Sequence, residues 1–152
     1  MSTVTEFYLA VAVGLIISVA MEEYLGVSSG GVVVAGYLAM ICDDLMSMGV
    51  VLLVTLLTYL VVELVLSRFL LLFGKRKFVA CLLVSLIFKV LADLLVPTLS
   101  FTTLAIRGLG IISPGLIANT SSRQGLHITI PAVLAATYAT FGIVRLLMLL
   151  LF

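Results

Sequence analysis

The side chains with most to offer chemically sit in one phrase near the C-terminal end, RGLGIISPGLIANT, from Arg107 to Thr120. Arg107 is followed by two glycines, Gly108 and Gly110, and then by Ser113-Pro114-Gly115 and Asn119. Ser113 is placed to cap a helix whose first residue is Pro114, a position that needs no amide hydrogen. Such a start would present free N–H groups and the positive end of a helix dipole beside a guanidinium, an arrangement that recognises carboxylates; the alternative reading of Arg107 is a simple interfacial anchor. A second pair, Lys89 and Asp93, is spaced to meet on one helix face, either as a neutralised structural pair or as a polar lining for a pathway. Charges placed in hydrocarbon cost roughly 2.5–3.5 kcal/mol each on insertion scales, so both groups need partners.

Other chemistry finds no footing. Gly74-Lys75 lacks the upstream glycine and following Ser or Thr of a phosphate loop, and Gly108-x-Gly110 lacks a strand–turn–helix setting. The chain therefore offers no nucleotide site, no cofactor site of its own and nothing suited to nucleic acid. His127 is the only histidine and reads as an interfacial residue. Cys42 and Cys81 are too few and too far apart for a disulfide framework or a metal site, and read as small apolar groups. Glu63, Arg68 and Arg145 can snorkel, and Glu22 and Glu23 sit at a helix end.

The elements that must hold these residues are membrane helices. Of 152 residues, 64% are hydrophobic, with eight basic and seven acidic side chains; an ordinary soluble chain is only about 45–50% apolar. Four apolar runs are long enough to span: 4–21, 48–73, 78–96 and 128–152. The first lacks the basic n-region of a cleaved signal, since the first cation is Arg68, and reads as a retained helix. Two shorter segments, 27–42 and 106–119, interrupt the series. In register, Gly31 and Gly36 lie over Gly110 and Gly115, and the same offset sets Thr58-Tyr59 over Thr137-Tyr138. The expectation is an all-α integral membrane protein, a single transmembrane domain over 1–152. It would carry about six hydrophobic segments in two repeated halves, approximately 1–77 and 78–152, with two short Gly-rich broken or re-entrant segments. Short, glycine-interrupted segments at matching places are where transporters build substrate sites.

Two topologies compete. If the short segments cross, the halves are inverted repeats, and Arg123 joins the cytoplasmic basic run Lys75-Arg76-Lys77 while Asp43, Asp44 and Arg107 face out. If they re-enter, the repeat is parallel and Arg123 faces out. The cation distribution favours crossing.

The sequence resembles the PgsC/CapC family, the small membrane subunit of bacterial poly-γ-glutamate (capsule) synthases, over nearly its whole length. The resemblance rests on Leu56-Leu-Thr-Tyr59, Gly74-Lys-Arg-Lys-Phe78, Lys89 with Asp93, and RGLGIISPGLIANT followed by Arg123-Gln-Gly-Leu126. The family's Pro-Gly-Tyr-Leu is here Ala35-Gly36-Tyr37-Leu38.

The resemblance implies a multi-pass protein of the bacterial cytoplasmic membrane. It would partner an ATP-dependent glutamate ligase (PgsB/CapB type), which carries the ATP and a divalent metal, and an extracytoplasmic accessory subunit (PgsA/CapA type). Capsule biosynthesis would then use Arg107, Gly108, Gly110, Ser113, Pro114, Gly115, Asn119, Arg123, Gly31, Gly36 and Tyr37 along a polymer pathway. Lys75, Arg76 and Lys77 would dock the ligase, and a homo-oligomer is compatible with so small a bundle. The rival expectations are a pure scaffold that activates the ligase, and an independent small transporter.

Overall fold

The computed structural model describes residues 2–69, 71, 74–97 and 104–151; of residues 2, 3 and 104–107 it describes the backbone alone. The described residues form six helices. Helix α1 is Ser2–Leu25 and α2 is the short Val34–Ile41. Helix α3 begins as Leu45–Leu60, widens into π-helical turns over Val61–Leu66 and ends with Ser67–Phe69. Helix α4 is Lys75–Leu95, α5 is Leu104–Gln124 and α6 is Leu126–Leu151.

Helices α1, α3, α4 and α6 are long and apolar enough to cross a membrane, over Val4–Leu25, Leu45–Phe69, Lys75–Leu95 and Leu126–Leu151. These correspond to the four runs expected from sequence; Phe73 and Phe152, at the ends of two of those runs, lie outside the described residues.

Side-chain distribution follows the solvent. Ile16, Leu53, Leu64, Ile87, Leu94, Leu146 and Leu149 stand outward, whereas Ser18, Ser29, Thr55, Thr58, Ser85, Thr129, Thr137 and Thr140 are buried. Water would drive those outer residues inward, but lipid tails are as apolar as leucine and leave them where they are. The interior instead selects small residues and hydroxyls. Each buried threonine closes its own bond to the carbonyl four residues back, as Thr58 does to Val54 and Thr137 to Val133 at 2.7 Å. No buried hydroxyl of that kind needs a distant partner.

The heart of the bundle is α2. Of its eight residues only Met40 is not buried, and Val34, Tyr37, Leu38 and Ile41 form one cluster with Val51, Ile117 and Val133. Helix α2 packs on α1 and α6, while α5 packs on α4 and α3. Contact between α1 and α2 is backbone to backbone: a methyl group on Gly36 would lie 2.7 Å from the Ala10 carbonyl oxygen and 2.8 Å from the Val11 Cα.

The two glycine segments, both expected to be broken or re-entrant, differ in the structure. The first is the broken one. Gly30 and Gly31 adopt positive φ angles of 83° and 120°, and the chain turns there before α2 begins. The second is not broken at Ser113-Pro114. Helix α5 runs continuously through Pro114, and the hydroxyl of Ser113 caps nothing. Pro114 leaves the Gly110 carbonyl without its in-helix donor; one residue along, the Ser85 hydroxyl of α4 donates to the Leu82 carbonyl at 2.9 Å and leans toward the Ile111 carbonyl at 3.4 Å. Gly115 permits that approach, since a methyl group there would stand 2.6 Å from the Ser85 hydroxyl and 3.0 Å from the Leu82 Cα.

Candidate functional site

Helices α4 and α5 run antiparallel. Lys89 lies beside Gly110, Ser85 beside Ile111, and Leu82 beside Gly115, so rising numbers on one accompany falling numbers on the other. This arrangement sorts the candidate residues into a buried polar site on one stretch of α5 and a basic surface beyond its C-terminal end.

The polar site is built from three helices. Lys89 is nearly enclosed, with 5% of its side chain exposed, and its Nζ donates to the Asp93 carboxylate at 2.7 Å. Asp93 is 45% exposed, so the pair opens to the surface through its acidic member. From α2, Tyr37 extends fully buried to Gly110: a methyl group on Gly110 would lie 2.6 Å from the tyrosine oxygen and 4.0 Å from Lys89 Cε. Among the described residues the Tyr37 hydroxyl has no hydrogen-bond partner, and neither does that of Ser113, one turn along α5. The i, i+4 pair was legible in the sequence. Tyr37 facing Gly110 was not, because a long-range contact leaves no local spacing to read.

The other residues of the glycine phrase divide by surroundings. Arg107 lies in the first turn of α5, and its side chain lies outside the described residues. Gly108 is exposed and meets nothing within 4 Å among the described residues. Pro114 and Gly115 are buried, Gly115 against Ser85 and Leu82 of α4. Asn119 is half-buried, its carbonyl accepting from the Ser122 hydroxyl at 2.8 Å. In the first segment, a methyl group on Gly31 would lie 3.5 Å from the Leu116 side chain, and Gly36 serves the α1 contact.

The basic surface is at the opposite end from Asp93. Arg123 closes α5 at the level where α4 begins with Lys75, Arg76 and Lys77. Arg68, Lys75, Arg76 and Arg123 are exposed. Lys77 is committed within the chain, to Glu63 of the π-helical turns at 2.9 Å. Glu63 is thus an ion-pair partner rather than a snorkelling charge.

Arg145 likewise binds Asp43 at 3.3 Å and stacks over Phe141. This pair edges an open groove of about 940 Å³ at the far end, between the start of α1, the end of α2 and α6, with Glu6, Ala10, Ala39 and Met148 among its lining. Sequence spacing gave no sign of the groove. Among the described residues, no three His, Cys, Asp or Glu side chains gather as metal ligands do.

An apolar exterior, hydroxyl-rich interior and four spanning-length helices define a multi-pass helical membrane protein. Its family can be stated as well: residues 13–130 match the model of "Capsule biosynthesis CapC", and the chain belongs to that family. It is 42% identical to the PGA biosynthesis protein CapC of Bacillus subtilis (strain 168), over 91% of this chain and 93% of that protein. It is 40% identical to the capsule biosynthesis protein CapC of Bacillus anthracis, over 93% and 95%. No solved structure matches.

Proposed function

We propose that this chain is the membrane subunit of a poly-γ-glutamate synthase, docking an ATP-dependent glutamate ligase at its basic end and helping the growing polymer leave through the bundle. The observation that carries the reading is the gathering of cations. Of eight Lys and Arg residues, Arg68, Lys75, Arg76, Lys77 and Arg123 share one end. Glu22 and Glu23 belong to that end too, but the positive-inside rule counts cations rather than net charge, and it assigns this face to the cytoplasm, where ATP is available. The near full-length similarity to proteins of PGA and capsule biosynthesis supports the same assignment.

On this reading the chain is also an inverted duplication. The contacts are reciprocal: α1 packs on α2 as α4 does on α5, α6 packs on α2 as α3 does on α5, and α1 meets α6 as α4 meets α3. Gly31 faces Leu116 as Gly110 faces Tyr37, and each pair of counterparts is related by the offset read from the sequence. Each half then crosses three times, and a free carboxylate on every polymer residue, too costly for bare hydrocarbon, meets polar groups along α5.

A scaffold is the second reading. Gly14, Gly36 and Gly115 all serve close helix contacts, the ordinary use of small residues in membranes.

ATP-dependent glutamate incorporation separates the two. Membranes holding the ligase would be compared without this chain, with it, and with its Arg107→Ala, Arg123→Ala and Lys75→Ala/Arg76→Ala forms at matched levels. Loss of incorporation in the Lys75/Arg76 form together with loss of ligase from the membrane supports docking. Loss of polymer in the Arg107 or Arg123 form with the ligase still bound supports the pathway. Full activity in all forms leaves only the scaffold.

A further inference from the structure

The polar site on α5 has more chemistry than packing requires. We infer that Tyr37 and Lys89 form a carboxylate-binding position beside Gly110, at which the Asp93 carboxylate is an internal competitor. The inference rests on the poly-γ-glutamate reading for the identity of its ligand, not for the site itself.

Three observations converge. First, the Tyr37 hydroxyl is completely buried, has no hydrogen-bond partner among the described residues, and points at Gly110, where the Lys89 stem also arrives. A buried hydroxyl left unsatisfied costs about 1–3 kcal/mol, so an interior built only for packing favours its replacement by phenylalanine. Second, Lys89 is enclosed while its carboxylate partner Asp93 is half exposed. An incoming carboxylate can therefore take the place of the Asp93 group from the open side, keeping the ammonium ion paired throughout. Third, the corresponding place in the first half is apolar: Gly31 is met by Leu116 instead of a tyrosine. Gly31 lies in the turn before α2 and is met there by an apolar side chain, so the sequence correspondence alone does not call for a phenol at Gly110.

The donors match the ligand. A carboxylate accepts from an ammonium and a phenol at once, and in a low-dielectric interior charge-assisted bonds are the strong ones. A γ-linked glutamate chain supplies one such carboxylate per residue, and exchange with Asp93 keeps each one from being held too tightly to move on.

The test uses the full chain in nanodiscs of phosphatidylcholine, with a γ-linked glutamate trimer, its carboxyl-amidated counterpart and inorganic phosphate as probes, read by calorimetry and by ligand-induced shift in Tm. The trimer should bind and the amidated trimer should not. Tyr37→Phe should weaken trimer binding about tenfold, the loss of one hydrogen bond to a charged group, without lowering the Tm of the unliganded protein. Lys89→Met should abolish binding, and Asp93→Asn should tighten it by removing the competitor. Wild-type affinity in Tyr37→Phe, equal binding of the amidated trimer, or phosphate binding as tightly as the trimer would each overturn the site. If the trimer fails to bind although incorporation still requires the chain, the site falls and the synthase reading stands. Binding without any dependence of incorporation on the chain has the converse meaning.

Discussion

At the scale of single residues, the molecule turns on where it can afford a side chain and where it cannot. Gly110 and Tyr37 are matched to within an atom: a methyl group at Gly110 would lie 2.6 Å from the tyrosine oxygen but 3.5 Å from the ring carbon that bears it. Gly110→Ala should therefore destabilise, because the ring is wedged in the α2 core and cannot retreat, by about 1–3 kcal/mol as overpacking usually costs. Adding Tyr37→Phe removes the offending oxygen and leaves an ordinary van der Waals contact, so the double variant should recover most of the loss. A double-mutant cycle on thermal unfolding in detergent checks this, and additive effects of the two changes would show that they do not meet. Sequence spacing brought Lys89 and Asp93 together because a helix fixes its own i, i+4 neighbours. Spacing could not bring Tyr37 to Gly110, since that meeting depends on how α2 inserts between its neighbours.

At the scale of helices, the same glycine carries different weight according to what faces it. Gly36→Ala forces a methyl group into the Ala10 carbonyl and Val11 Cα of α1, backbone atoms that no rotamer change can move. It should cost at least about 1–3 kcal/mol. Gly142, in α6, meets nothing within 4 Å among the described residues, and Gly142→Ala should be neutral or stabilising by up to about 1 kcal/mol. Comparing unfolding temperatures of the two variants tests the assignment.

The start of α3 gives a pH-dependent companion. Asp44 caps it, accepting from the Ser47 hydroxyl at 2.6 Å and the Met46 amide at 3.3 Å, and these bonds, the Ser47 one foremost, hold its carboxyl below the usual carboxylate range against a smaller opposing effect of desolvation. A carboxyl depressed in the folded state stabilises above its ordinary pKa, and that contribution disappears as pH falls through its lowered value. Unfolding temperature should thus decline below about pH 4, and less steeply in Asp44→Asn, which keeps an acceptor but does not titrate. The long helices were legible because an apolar run of spanning length has one reading in a membrane. The start expected at Pro114 was not found, because the Ser-Pro rule describes a helix alone, and here α5 runs through Pro114 while packed closely on α4 at Gly115.

At the scale of the whole molecule, the proposed orientation in the membrane rests on antiparallel contacts together with the placement of cations. The start of α1 and the end of α6 share the groove with Asp43, and α5 ends beside the beginning of α4, so the ends alternate consistently along the chain. A re-entrant second segment would return Arg123 to the side of Arg107. The described α5 instead carries 21 residues in one helix, about 30 Å at ~1.5 Å per residue, enough to reach the other side. In a cysteine-free background made by replacing Cys42 and Cys81, single cysteines at Lys75 and Arg123 should react with a membrane-impermeant maleimide only after the cells are opened. Cysteines at Asp44 and Leu150 should react in intact cells. Arg123 labelled from outside together with Asp44 would replace three crossings per half by two. It would also separate Arg123 from the ligase face, and with it the gathering of cations on which docking depends. The same pattern decides the direction of the polar site: if Asp44 is outside, Asp93 and the open side of Lys89 lie toward the exterior, where a carboxylate leaving the bundle would meet them last.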